Sequence, residues 1–335
     1  DIGQTIYRPL DELSISPEGL SPRLIKNGYD SYSMLNGRVY ALPLDPSVQI
    51  FLYRTDLFHD AKLCRAYYER FHENLVVPTT YEQYLHAAEF FTRSCNPDSP
   101  TEYGTTMTCG SASVAASDFL PFYLSRIDRF GTTPETLRLD CPEMQAAMRQ
   151  YHALENFSCK QNWWGDSIQK FADGKTAMTV IYSNYAAELI NSGNSVVVGR
   201  VGAAILPGCK PLLGGGIVGI SRYSQKAEAC KQFFRWYYSA DVASLLVRLG
   251  GTSPIVDAYE DFQNYSIFPW MNTSKKSFGL GQRGVKNQIP ERFSIPKYEF
   301  AVGTAIRNVV QDLMTPEDAS RMAQALYDAA DPISR

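Results

Sequence analysis

Three consecutive glycines, Gly214-Gly215-Gly216, head the β-branched run Ile217, Val218 and Ile220. A glycine has no Cβ, so such a stretch can cross a cleft or press bare backbone amides against a ligand, and it can equally form a turn. The chemistry on offer is hydrogen-bond donation without a side chain. A second pattern, Gly279-Leu280-Gly281-Gln282-Arg283-Gly284, has the spacing of a dinucleotide loop, but it follows the polar stretch Asn272 to Lys276 where that motif requires a strand. The dinucleotide reading therefore fails in context. The seven cysteines are scattered, with no Cys-x-x-Cys and no spacing shared with the four histidines, which argues against zinc and against a disulfide framework. His-Glu-x-x-His, Walker A and Gly-x-Ser-x-Gly patterns do not occur. No catalytic residue, metal ligand or cofactor is expected, although two carboxylates acting on a glycosidic bond need no fixed spacing.

The composition bounds the class. A chain of 335 residues has length for roughly two domains of about 150 residues each. Its hydrophobic and charged fractions, 44% and 20%, are those of a globular protein, and no apolar run approaches the roughly 20 residues of a membrane span. A net charge of −3 with interspersed signs carries no electrostatic footprint for nucleic acid. Tyrosine is abundant, 21 residues against 4 tryptophans, and flat rings with polar tips suit ligand clefts as well as cores. The opening Asp1-Ile2-Gly3-Gln4 is neither basic nor apolar, so no signal peptide is expected there.

The elements that must position such groups alternate. Strands are expected at 37–43, 50–53, 177–182 and 196–204. Thr80-Tyr81-Glu82-Gln83 is a capping box opening a helix through Leu85, Ala88 and Phe91. Proline at the first helical position marks two more helix starts, Cys141-Pro142 and Thr315-Pro316. Ala229, Phe233, Trp236 and Tyr237 share one face of a helix ending near Ser239, and a following helix, 242–249, stops at Gly250-Gly251. Helices alternating with short strands give an α/β class.

Several blocks in order resemble the family 1 extracellular solute-binding proteins, the maltose-binding-protein-like sugar receptors of ABC importers. They are Asn36 to Pro43 with Leu52 to Phe58, Pro78 to Phe91, Phe171-Ala172-Asp173-Gly174-Lys175-Thr176-Ala177-Met178, Leu206-Pro207-Gly208 with Leu213 to Gly216, and the terminal stretch Thr315 to Asp328. The resemblance implies a two-lobed, periplasmic-binding-protein-like fold of type II with ligand between the lobes. Residues 1–106 with 213–265 would form one lobe, and 107–212 with 266–335 the other. It also implies a chain opening inside the first lobe, without that lobe's N-terminal βα units.

Site residues follow from the same resemblance. Asp45 corresponds to a hydrogen-bonding residue of the first lobe, and Tyr182 and Tyr185 to an aromatic platform after the 177–182 strand. Trp163, Trp164, Tyr123, Tyr298 and Glu299 are further ligand candidates, and Gly214, Gly215 and Gly216 would offer amides at the hinge. Phe122 reads as core. The two adjacent tryptophans are expected to split, with Trp164 in the cleft and Trp163 in the core. Trp270 fits either place.

Two roles stay open at this level. One is a monomeric, non-enzymatic receptor for a sugar or oligosaccharide, anchored outside the cytoplasm as a lipoprotein and serving an ABC importer permease. The other is a cytoplasmic ligand-sensing domain that reaches DNA only through a separate upstream domain of the GntR-like class. Seven cysteines and the absent leader favour the second. A glycosidase is the remote third.

Overall fold

The computed structural model describes residues 5–25, 33–35, 37–127, 138–190, 193–281 and 295–329. Its axis is β4 (Ser47–Arg54), which is buried along nearly its whole length. The run Ser-Val-Gln-Ile-Phe-Leu-Tyr-Arg has apolar residues on both faces of the pleat, as a strand covered on both sides requires. β4 pairs antiparallel with β7 (Met178–Tyr182) on one edge and with β8 (Val201–Ala204) on the other, and its first residues pair with β9 (Leu213–Gly214). A separate antiparallel pair joins β3 (Ala41–Pro43) to β10 (Ile217–Gly219). β5 (Thr105–Thr108) and β6 (Ser158–Gln161) run parallel, and β1 (Met34–Leu35) pairs with β2 (Arg38–Val39).

Helix starts follow the capping chemistry. Thr80 accepts from the Gln83 amide while Gln83 reaches back, completing the capping box of the Tyr81–Phe90 helix. Thr315 caps Pro316–Asp328, and Pro142 is the first residue of Pro142–Glu155. Other expectations shift. The strand expected over 196–204 is confined to 201–204, because Gly199 takes a positive φ of 73° and Val196 is exposed. The 37–43 strand is divided at Tyr40, where the chain leaves the β1–β2 pair, the Tyr40 amide still donating to the Ser33 carbonyl, and enters the β3–β10 pair at Ala41. The Ala227–Tyr237 helix turns Phe234 and Tyr237 inward and leaves Phe233 and Trp236 exposed, so its buried stripe is rotated from the expected one. Gly279 lies inside the Met271–Leu280 helix, which is not the strand-to-helix turn of a dinucleotide loop, and Gly284 is outside the described residues.

Two bodies emerge from the packing. In the first, Tyr238 donates to the Pro43 carbonyl at 2.8 Å, Tyr237 donates to Leu44, and Leu24 bridges to Ile255. In the second, Tyr84 meets Thr105 at 2.6 Å, Phe51 packs edge-on against Tyr84, and the Ile295–Val310 helix lies along Ala112–Leu124. β4 and the 81–90 helix, placed with 1–106 by sequence, pair with β7 and β8 and pack on the 142–155 helix and β5. The chain runs from β3 to β4 through Leu44–Pro46 and from β9 to β10 through Gly215–Gly216, two crossings between one strand pair and the other.

Candidate functional site

Beside these crossings lies an open cleft of about 340 Å³, lined by Asp45, Ser47, Ser113, Val114, Ser117, Trp163, Trp164, Tyr182, Asn184, Tyr185, Gly214, Gly215 and Glu299. Its back wall is the crossing strands. A Cβ on Gly214 would stand 2.6 Å from the Tyr182 ring and 2.7 Å from Ser47 Oγ. Gly215 has φ +98°, and its Cβ would stand 2.2 Å from the Asp45 carbonyl. Both positions need glycine for close approach, and the second also for its backbone angle. The Gly216 amide donates to Asp45 Oδ1 and so is not left for a ligand.

Two edge-to-face ring pairs form the aromatic wall. Trp164 meets Tyr182 at 5.2 Å and 85°, and Trp163 meets Tyr185 at 6.5 Å and 84°. Both tryptophans line the cleft, so Trp163 is not in the core as expected, and Trp164 reaches the cleft although nearly buried. Trp164 is 4% exposed and packs into the start of the Trp164–Ala172 helix, whereas Trp163 is 51% exposed at the cleft rim. Trp163 caps that helix without a side-chain oxygen, so its first-turn amides are not met by a capping side chain. Burial raises the Tyr185 phenol, a hydrogen bond from Trp163 works against this, and the Asp45 charge adds to it. Burial, then Asp45, pushes Tyr237 up to about 12. Both phenols stay protonated at neutral pH; Tyr237 donates to the Leu44 carbonyl, and Tyr185 faces the cleft as a neutral hydroxyl.

Polar groups come from several elements. Ser113 and Ser117 sit one turn apart on the Ala112–Leu124 helix, whose N-cap Ser111 accepts from Val114. Gln49, fully buried in β4, donates to the Ser117 carbonyl at 2.7 Å and accepts from the Leu212 amide at 2.9 Å. One side chain thereby fixes both the serine wall and the approach to the glycines. Asn184 Oδ1 is buried with no hydrogen-bond partner. Sequence reasoning missed Ser47, Ser113, Ser117 and Asn184. Asn184 lay between two named tyrosines, and Ser113 and Ser117 have i, i+4 spacing after a helix cap, so a helical reading of 111–124 would have found them.

Other candidates lie elsewhere. Tyr123 is buried and donates to the Arg138 carbonyl at 3.2 Å. Tyr298 is fully buried, because on the Ile295–Val310 helix its position faces the core while the adjacent Glu299 reaches the cleft. Phe122 stacks on Tyr81 in the core, with centroids 3.9 Å apart. Trp270 borders a different, mainly apolar groove with Ile190, Val198 and Ile267. That groove is of similar size but lacks the converging polar groups of the cleft. All seven cysteines are free thiols. Among the described residues, no helix is long and apolar enough to cross a membrane.

Solved structures share this architecture. An ABC transporter solute-binding protein from Agrobacterium radiobacter in complex with ribitol matches with a TM-score of 0.78 and 22% identity, over 95% of this chain and 79% of that one. A counterpart from Agrobacterium vitis with bound D-mannitol gives 0.74 and 20% identity, over 97% and 80%. Maltose-bound MalE3 of T. maritima gives 0.76 and 18%, over 96% and 80%. These likenesses establish the two-lobed binding-protein fold. The family model described as bacterial extracellular solute-binding protein matches residues 5–270. With most of its length inside that match, the chain belongs to the bacterial extracellular solute-binding protein family.

Proposed function

We propose that the cleft binds a carbohydrate or polyol and that the chain acts as a non-enzymatic receptor, handing this solute to the permease of an ABC importer. The observation that carries the reading is the pairing of an aromatic wall with an unpartnered acceptor, Asn184 Oδ1. A sugar presents apolar CH faces for Trp163 and Tyr185 and hydroxyls for Asn184, the serines and Asp45. An unmet buried acceptor costs roughly 1 to 3 kcal/mol, which a ligand hydroxyl would offset. Structural neighbours with bound ribitol, D-mannitol and maltose support the same solute class.

In this proposal the lobes are 5–46 with 215–270, and 47–214 with 295–329, the Met271–Leu280 helix touching both. Closure turns about the crossings at 44–46 and 215–216. The receptor is a monomer held outside the cytoplasm by a lipid anchor. A thermal-shift screen over ribitol, D-mannitol, maltose and longer maltodextrins tests it. Ligand at a hundredfold excess over Kd should stabilise by about 2.7 kcal/mol. No response to any of them sinks the carbohydrate assignment. Chromatography of maltodextrins after long incubation should recover them uncleaved, and cleavage would overturn the non-enzymatic part.

A second reading is favoured by the seven free thiols, which suit a reducing compartment. In it the same cleft senses solute inside the cell for a DNA-binding partner domain. Fractionation decides between them: recovery with the membrane supports the importer receptor, and recovery with the cytosol supports the sensor.

A further inference from the structure

We infer that Gln49, buried out of reach of any solute, is a positioning residue for the cleft, setting the serine wall against the glycine crossing. The inference rests on the receptor reading above and names a residue that holds its site in shape. Gln49 is fully buried in β4, between Val48 and Ile50, which are equally buried. A polar amide on so apolar a strand is costly unless its own groups are paired. Both are. Nε2 donates to the Ser117 carbonyl at 2.7 Å, and Oε1 accepts from the Leu212 amide at 2.9 Å. The Gln49 backbone amide donates to the Leu212 carbonyl at 3.0 Å. Gln49 thus clamps Leu212 through both of its backbone groups.

The sequence supplies a reason for the Ser117 bond. In an α-helix the Ser117 carbonyl would accept from the amide of residue 121, but residue 121 is Pro, which has no N–H and whose ring crowds that carbonyl. Pro121 opens an acceptor, and Gln49 fills it. The Ser117 side chain lines the cleft, so the bond holds a backbone unit of the site itself. On the other side Leu212 leads into β9, whose Gly214 also lines the cleft. In the ladder Gln49 stands opposite Tyr182, a member of the aromatic wall. Three walls meet at one residue. A planar amide fixes the directions of both its partners together, whereas an apolar side chain of the same length would fill the space and fix neither. Without that tie the Ala112–Leu124 helix is free to slide on β4, carrying Ser113 and Ser117 out of reach of hydroxyls held by the opposite wall.

The test compares wild type, Gln49→Met, Pro121→Ala and the double variant, each as the full chain, by calorimetric titration with ribitol, D-mannitol and maltose and by urea unfolding. Gln49→Met keeps the length of the side chain and removes both of its bonds, so affinity for whichever probe binds wild type best should fall at least about tenfold. Stability should fall too. Pro121→Ala supplies the missing N–H and should bind within about threefold of wild type, because the Ser117 carbonyl has two lone pairs and can serve both donors. In the double variant the helix meets its own carbonyl, so stability should recover in part while affinity stays low, the tie to β4 not being remade. Affinity that recovers with stability, or that never fell in Gln49→Met, overturns the positioning role and leaves the receptor reading standing. A loss in Pro121→Ala equal to that in Gln49→Met also overturns it, by assigning the geometry to the helix bend. Should Gln49→Met not fold, the double variant carries the comparison. Hydrogen exchange at the Leu212 amide should quicken in both Gln49 variants without any probe present, and unchanged exchange overturns the clamp. No binding of any probe by wild type overturns the receptor reading, and the role of Gln49 in binding with it.

Discussion

Asp45 accepts a hydrogen bond from the amide of Gly216, so the two crossings are tied to each other by a side chain that also faces the cleft. The bond spans 171 residues of sequence. In the proposed receptor, hinge and ligand would compete for, or share, this carboxylate. Asp45→Asn keeps an acceptor for Gly216 and removes the charge, whereas Asp45→Ala removes both. Asp45→Ala should lower unfolding stability by about 1 kcal/mol, the ordinary net worth of one hydrogen bond, and Asp45→Asn by less. Small-angle scattering should find the ligand-free Asp45→Ala protein more open than wild type and the Asn variant unchanged. Identical scattering for all three would mean that this bond does not restrain the crossings.

The two tryptophans are adjacent in sequence and line the same cleft, but differ in burial. Trp163, half exposed at the rim, can be cut to alanine with a stability change near 0.5 kcal/mol, while affinity for the best-binding polyol falls about tenfold. Trp164 is buried against Tyr182, and Trp164→Ala should cost about 3 to 5 kcal/mol of stability. Urea unfolding monitored by circular dichroism, set beside calorimetric titration, separates the effects. Loss of affinity without loss of stability in Trp164→Ala would reverse the assignment.

The exposure of Trp163, expected in the core, marks where sequence stopped being informative. The strands that build the cleft's back wall were legible, because Ile50 to Tyr53 and Ala177 to Tyr182 are apolar runs of strand length and Gly214 to Gly216 is unusual in composition. The glycine run was readable as a crossing, but not that Gly216 spends its amide on Asp45, a contact set by a partner 171 residues away. Helical phase decided the rest. Tyr298 and Glu299 are neighbours, and only the packing of the Ile295–Val310 helix against Ala112–Leu124 sends one inward and the other to the cleft. Gln49 lay inside a strand-like run and gave no sign that both ends of its amide would be used. The pairing of β4 with β7 and β8 was hidden for the same kind of reason, since which sheet a strand joins is a long-range choice.

Asp118 lies on the helix that carries Ser117, fully buried, with Thr108 donating its amide at 3.1 Å and Tyr151 its hydroxyl at 2.6 Å to the same oxygen. Burial outweighs those two bonds and pushes its carboxyl up to about 7 from 3.8. Between those values the native state holds a proton that the unfolded chain has lost, so stability must fall as pH rises across that window. The contribution is complete below about pH 4 and gone above about pH 7, with an upper limit of about 4 kcal/mol. Asp118→Asn keeps an oxygen for both donors and cannot ionise. Urea unfolding at pH 4 to 8 should show a flatter profile for the variant, with its advantage over wild type growing towards pH 8. A parallel displacement of the two profiles would mean that Asp118 is ionised in the native state throughout.

Gly303 links stability to the site. It sits on the Ile295–Val310 helix where that helix presses on the first turn of Ala112–Leu124, and a Cβ there would stand 1.7 Å from the Ala112 carbonyl oxygen. Backbone cannot swing aside as a side-chain tip can, so Gly303→Ala must push the helices apart, at roughly 1 to 3 kcal/mol. The two helices carry Glu299 and Ser113 into the cleft, so separation should also weaken polyol binding, although residue 303 does not line the site. Gly279→Ala is the control, since nothing lies within 4 Å of a Cβ at that helical, exposed position. It should raise stability by up to about 1 kcal/mol through reduced freedom of the unfolded chain, and leave affinity alone. Equal and small effects from both alanines would show that the helix contact has slack, and that Glu299 is not held in place by the approach at Gly303.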